Sequence, residues 1–204
     1  MAATAPSGPR ETTRERLVDA AKELFSQNGY SATGIRAIAK RAGCNLSLIK
    51  HYFGSKEGLL LELISQNMAL AGDKLRAVAA STGSAEERLG QLIDFIVDHF
   101  DHYREGLRLF HREVVTNEGD FLAEVKPLAA ANAQILAALM AEAHQKGELR
   151  DVDPLVASML LMGMVQFYFI AYPMTSRVLG ERTPELVESL KRNIKQIFLR
   201  GVLR

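Results

Sequence analysis

Apolar residues in this 204-residue chain recur at helical spacing in every long segment, and no run alternates apolar with polar over the length of a strand. A stripe at i, i+3, i+4 and i+7 serves a helix that buries one face, so the pattern predicts an all-α fold. Punctuation along the chain supplies the boundaries. Thr12-Thr13-Arg14-Glu15 is a capping-box pattern ahead of Leu17, Ala21, Leu24 and Phe25, and Asn28-Gly29 ends that segment. Thr33 is expected to cap a short helix to Arg41, and Asn45 a second short helix to Tyr52. Gly54-Ser55 then opens a long helix to about Ala80. Ser84-Ala85-Glu86-Glu87 is a second capping box, before Leu89, Leu92, Ile93, Ile96, Val97 and Phe100. A helix over roughly 104–116 follows, then a turn at Asn117–Asp120 and helix again to Lys146, with Pro127 kinking it or opening its main part. Asp153-Pro154 and Thr183-Pro184 are cap-then-proline starts for two final helices, about 154–172 and 184–203. The total is about nine helices.

Composition narrows the class. There are 25 Lys and Arg against 24 Asp and Glu, with 48% hydrophobic and 24% charged residues, so neither a disordered tail nor a uniformly basic coat protein fits. The single cysteine, Cys44, excludes an intrachain disulfide framework and a multi-cysteine zinc site, and at that position it reads as small buried filler. The charge is unevenly placed. Residues 1–56 carry nine bases and four acids, and no acid occurs between Leu24 and Lys56. Such asymmetry marks either a solvated face or a surface that meets a polyanion.

The two short helices around Ala42-Gly43-Cys44 decide between these. A pair of this kind is a helix-turn-helix, whose second helix can enter a DNA major groove, and the acid-free stretch coincides with it. Nearby carboxylates would repel phosphate, so their absence suits DNA. The run Phe25, Gly29-Tyr30, Thr33, Ile35, Ile38-Ala39, Ala42-Gly43, then His51-Tyr52-Phe53, Ser55-Lys56-Glu57 and Leu59 resembles the N-terminal signature of the tetracycline-repressor (TetR) family of transcriptional regulators, over about residues 12–65. Gly34 replaces a common Ser or Thr, and Lys50 a frequent aromatic; both departures bear on the operator sequence and not on the fold. The resemblance implies a flexible leader (1–10), a helix-turn-helix domain (11–56) continued by a linking helix (about 55–80), and a ligand-binding and dimerisation domain (57–204). It also implies a cytoplasmic homodimer, joined through its last two helices, that represses from a palindromic operator until a small molecule binds and tilts the linking helix.

Individual roles follow. Thr33 and Ser55 stand where helix N-termini favour phosphate, with plain capping as the other reading. Tyr52 and Lys56 match family positions that touch the DNA backbone. Arg36, Leu46, Ser47 and Lys50 are candidates for base edges, a guanine for the cations and a thymine methyl for Leu46, with packing as the alternative for Leu46. Arg10 and the leader could reach a minor groove, although a solvated leader is the simpler reading.

Farther on, Phe95, Phe110, His111, Met140, Met164 and Phe167 are candidates for an apolar effector cavity, or else plain core. His99, His102 and His111 could hold a metal, but no cysteine accompanies them, and solvated histidines are the simpler reading. No phosphate loop, nucleophile elbow or HExxH motif appears, and no cofactor is implied. Residues 155–172 are nearly all apolar and long enough to span a bilayer. No flanking Lys/Arg cluster orients them, so a helix buried on all sides, packed between cavity helices and a partner subunit, is expected instead. A helical cavity enzyme and a membrane-associated helical protein remain the rival functions.

Overall fold

The computed structural model describes residues 12–104, 106, 107, 111 and 120–204. Eight helices are found among them and no strand: α1 (Thr13–Asn28), α2 (Ile35–Arg41), α3 (Ser47–Phe53), α4 (Lys56–Ala79), α5 (Ala85–His102), α6 (Asp120–Gln145), α7 (Pro154–Leu179) and α8 (Pro184–Val202). The helix expected over 104–116 falls largely outside the described residues, as do Arg10, the leader and Phe110. The chain divides into two compact units, one ending at Leu63 and the other Ile64–Arg204.

In the first unit local chemistry sets the helix ends. The Thr12 amide donates to Glu15 Oε2 at 2.6 Å and the Glu15 amide to Thr12 Oγ1 at 3.2 Å, closing the capping box. Those bonds hold the Glu15 carboxyl below its ordinary pKa. The turn between α2 and α3 contains Gly43 at φ 64°, a left-handed conformation that costs glycine little. Gly58 is required for a different reason: a Cβ there would stand 1.9 Å from the Phe53 carbonyl oxygen. Leu17, Ala21, Phe25, Ile38, Ile49 and Leu59 form the interior. Each large apolar side chain among them contributes about 1.5–3 kcal/mol on full burial. Arg14 clamps this unit, pairing with Glu62 at 2.7 Å and lying over the Phe53 ring.

In the second unit α5 is the central element and packs against α6, α7 and α8. Leu89, Leu92, Ile93 and Val97 from α5 meet Met140, Leu161, Val165 and Phe198 in one core. The second capping box forms as expected, with Ser84 and Glu87 exchanging bonds of 2.9 and 3.2 Å. Arg88, although buried, is held by both Glu142 oxygens and by the Ala79 carbonyl. With Lys146 it holds the Glu142 carboxyl down to a pKa of about 2.

One expectation about α7 needs correction. The helix does not stop near residue 172 but continues through Pro173 to Leu179. A proline inside a helix removes one backbone bond, which here leaves the helix unbroken. Within its own chain α7 buries one side, the side expected to pack on the neighbouring helices. Ala157, Ser158, Leu161, Val165 and Phe169 face the core, whereas Leu155, Met159, Leu160 and Phe167 are exposed. With almost no polar residue to mark an outer side, the sequence pattern did not show which stripe faces in.

Candidate nucleic-acid interface and effector groove

The helix pair α2–α3 turns most of its polar side chains to solvent. Of the seven residues of α3 only Ile49 is buried, at 2% exposure, and it anchors the helix to the interior. Leu46, not Asn45 as expected, stands at the N-cap of α3 with no side-chain cap, and Asn45 just before it accepts at Oδ1 from both the amide and the hydroxyl of Ser47 at 3.0 Å. Ser47, Lys50, His51 and Tyr52 are exposed on α3, as is Arg36 on the first turn of α2. Leu46 is half-buried at the helix start. Arg36, Lys40 and Lys50 make no ion pair among the described residues, so their charge is available to a partner.

Two sequence-based assignments change here. Thr33 is only 3% exposed, and its hydroxyl donates inward to the carbonyls of Leu24 at 3.1 Å and Gly29 at 2.8 Å. Gly34, not Thr33, stands at the N-cap of α2, with no side-chain cap at all. The hydroxyl satisfies backbone groups in the preceding turn, where capping and packing chemistry look alike in a sequence. Lys56 is likewise engaged: its ammonium donates to the Tyr30 carbonyl at 2.5 Å and lies 4.0 Å from the Tyr30 ring centroid. Burial pulls its pKa below the ordinary lysine value. Arg41, one of the five bases of the acid-free stretch, is paired to Glu23 at 2.6 Å from outside that stretch. Ser55 keeps its capping role and accepts from the Gly58 amide at 3.1 Å. Lys40 and His51 carried no assigned role in the sequence, yet they stand exposed on the same two helices, and the His51 ring meets Tyr52 edge-on at 5.0 Å. Lys40 was visible only as part of the charge count.

The second unit contains a groove of about 460 Å³ between α4 and α5. Asn67, Leu70, Asp73, Lys74 and Ala77 line it from α4, and Phe95, His99 and Tyr103 from α5 and its C-cap. His99 packs between Phe95 and Tyr103, with ring centroids at 5.4 and 4.9 Å. Burial, assisted by neighbouring His102, lowers its pKa to about 4, so the ring is neutral near pH 7. Of the effector residues expected from sequence, Phe95 alone among the described ones lines this groove. Met140 is fully buried core and Met164 packs against that core. His111 is 3.3 Å from Gln166. Phe167 is 70% exposed on the outer side of α7, which corrects its placement inside the domain. Spacing alone did not reveal the α4 side of the groove, because Asn67 and Lys74 carry no apolar signal. No group of three metal-ligating side chains occurs among the described residues.

Comparison with known proteins agrees with the all-helical fold and its N-terminal helix-turn-helix. Residues 17–63 match the family described as bacterial regulatory proteins, tetR family, and residues 82–169 match the tetracyclin repressor-like C-terminal domain. The chain is 29% identical over 168 residues to the probable HTH-type transcriptional regulator YttP of Bacillus subtilis, covering 78% of this chain and 81% of that protein. A TetR/AcrR-family regulator from Thermobifida fusca superposes with a TM-score of 0.77 at 28% identity, covering 92% of this chain and 97% of the other. The FadR regulator of Bacillus subtilis, solved with stearoyl-CoA, shares the fold at a TM-score of 0.70 and 22% identity, over 91% and 97% of the two chains. With both halves of its architecture matched, this chain belongs to the TetR family of bacterial transcriptional regulators.

Proposed function

We propose that this ligand-responsive regulator binds a roughly palindromic operator as a homodimer, represses from it in the cytoplasm, and leaves it when a small molecule occupies the second unit. The observation that carries this reading is the exposed, acid-free surface of α2 and α3. In that picture Arg36, Ser47 and Lys50 meet base edges, with Leu46 beside a thymine methyl. Tyr52 and Ser55 hold phosphates, which sets register without reading sequence. Lys40 joins them as a further phosphate contact. Thr33 and Lys56 act one step back, by fixing the turn and the start of α4 that carry the contacting groups.

The open apolar face of α7, together with exposed Ile197 on α8, supports pairing with a second copy. α7 is also long and apolar enough to cross a membrane, but its inner stripe belongs to a core shared with four other helices, α4, α5, α6 and α8. A dimer of this kind presents two recognition helices to half-sites about one DNA turn apart, 34–36 Å. That a solved protein of the same fold is a regulator in complex with stearoyl-CoA supports responsiveness to a small molecule. Effector binding tilts α4, which begins just after α3 and continues into that unit, and the half-site spacing is lost. Such couplings amount to about 1–3 kcal/mol and are reciprocal, so DNA weakens effector binding by the same factor.

Selection of bound sequences from random duplex DNA by the purified chain tests this reading. It should return a two-fold symmetric site. Recovery of no enriched sequence at physiological salt would refute the DNA assignment, and turnover of a small molecule without DNA binding would favour a cavity enzyme.

A further inference from the structure

The groove between α4 and α5 is asymmetric in a way that specifies its occupant. Lys74 is exposed and makes no ion pair among the described residues. Its acidic neighbour Asp73 is already compensated by Arg76 at 2.7 Å. The uncompensated charge beside the groove is therefore positive. Leu70, Ala77 and Phe95 provide apolar wall. The neutral ring of His99 adds no second charge to the floor. Two turns before Lys74 on the same helix is Asn67, which lines the groove and whose Oδ1, closed to solvent in this rotamer, accepts no hydrogen bond; a turn of its side chain toward the groove would open it to a ligand donor. A buried acceptor left unpaired is costly, and one donor group from a ligand would remove that cost.

We propose that this groove binds a small amphipathic carboxylate, with its anionic head at Lys74, its apolar body along Leu70 and Phe95, and a hydroxyl or N–H donating to Asn67 Oδ1. The two polar ends of such a ligand are separated by about 10 Å, the rise of seven helical residues. The proposal rests on the ligand-responsive reading above and adds to it the charge, polarity and length of the effector. It also restricts the volume. A groove of about 460 Å³ accepts a small acid whole, at the lower end of ordinary ligand pockets.

Calorimetric titration of the full chain with four probes tests the assignment: para-hydroxyphenylbutanoate, phenylbutanoate, the methyl ester of the first, and para-hydroxyphenylbutylamine. The hydroxy acid should bind tightest. Loss of the hydroxyl should weaken binding about tenfold, and esterification about fivefold, as suits an exposed charge pair. The amine should bind weakest of all. Lys74→Met should erase the difference between acid and ester, and Asn67→Leu the preference for the hydroxyl, with circular dichroism confirming that both variants stay folded. Equal binding of acid and amine, no binding of the hydroxy acid, or an unchanged acid preference in Lys74→Met would overturn the proposal. Fluorescence anisotropy with the selected operator separates the two readings. If operator binds and the acid does not, this inference falls alone. If the acid binds through Lys74 but leaves operator affinity untouched, the site stands and effector-driven release falls.

Discussion

The two outward-facing surfaces of this chain are opposites. α2 and α3 expose Arg36, Lys40, Ser47, Lys50 and Tyr52 in a stretch without acids, whereas α7 exposes Leu155, Met159, Leu160 and Phe167 in a stretch without charge. Each surface is unusual for an unpartnered protein. Bare cations without acids attract a polyanion, and a row of exposed large apolar side chains marks a surface that another apolar surface covers. The difference teaches that exposure has to be interpreted together with chemistry: a hydrated charged face gains by releasing counterions, and a bare apolar face gains by leaving water.

That contrast can be broken at either end. The largest expected effect is on DNA. Lys50→Ala combined with Tyr52→Ala should lower operator affinity about a hundredfold or more, measured by anisotropy at one fixed salt concentration, with helicity and molecular mass unchanged. Near-wild-type binding would move the interface away from α3. Next comes the apolar face. Phe167→Arg places a charge where a partner would have to bury it, so sedimentation should show dimer affinity falling about thirtyfold or more. Because Phe167 is 70% exposed in the single chain, the monomer should remain folded. A variant that dimerises like wild type would assign the α7 face another partner.

A smaller effect separates interior from interface within the first unit. Thr33→Val removes two inward hydrogen bonds and should cost about 1–2 kcal/mol of that unit's stability in chemical denaturation. The salt dependence of DNA binding should keep its slope, since no phosphate contact is lost. A shallower slope would restore Thr33 to the phosphate-binding set.

The smallest effects are acid-dependent and lie in the second unit. His99 has a folded pKa of about 4, below its ordinary 6.5, so the unfolded chain binds more protons between those values. Stability should therefore decline as pH falls from about 6.5 to 4, and His99→Phe should remove that part of the decline in Tm. Glu142 is depressed from 4.5 to about 2 by Arg88 and Lys146. Its contribution is present above pH 4.5 and fades toward pH 2, and Glu142→Gln should flatten only that lower limb. Identical acid profiles for wild type and both variants would remove these two groups as the source.

Helix existence was legible because period and caps are local properties. Thr12 with Glu15, Ser84 with Glu87, Asp153 before Pro154 and Thr183 before Pro184 each act within four residues, and all four caps form. The recognition helix was legible for the same reason, through Asn45 and Gly43. Positions whose partners lie far along the chain were not. Thr33 reaches back to Leu24, Lys56 to Tyr30, and Arg41 to Glu23, and each contact withdraws a polar group that the sequence alone offered to DNA. The groove between α4 and α5 was missed more completely, since Phe95 alone among its lining residues was expected from sequence to line a cavity.

From the sequence alone came the all-helical class, the helix-turn-helix and its charge, because those follow from neighbours within a turn or two. Tertiary structure decided which polar side chains remain free, which stripe of α7 faces out, and where α4 and α5 leave space. Those outcomes depend on packing between segments distant in the chain, and a mostly apolar run such as 155–172 contains no charged residue to say which of its faces meets water.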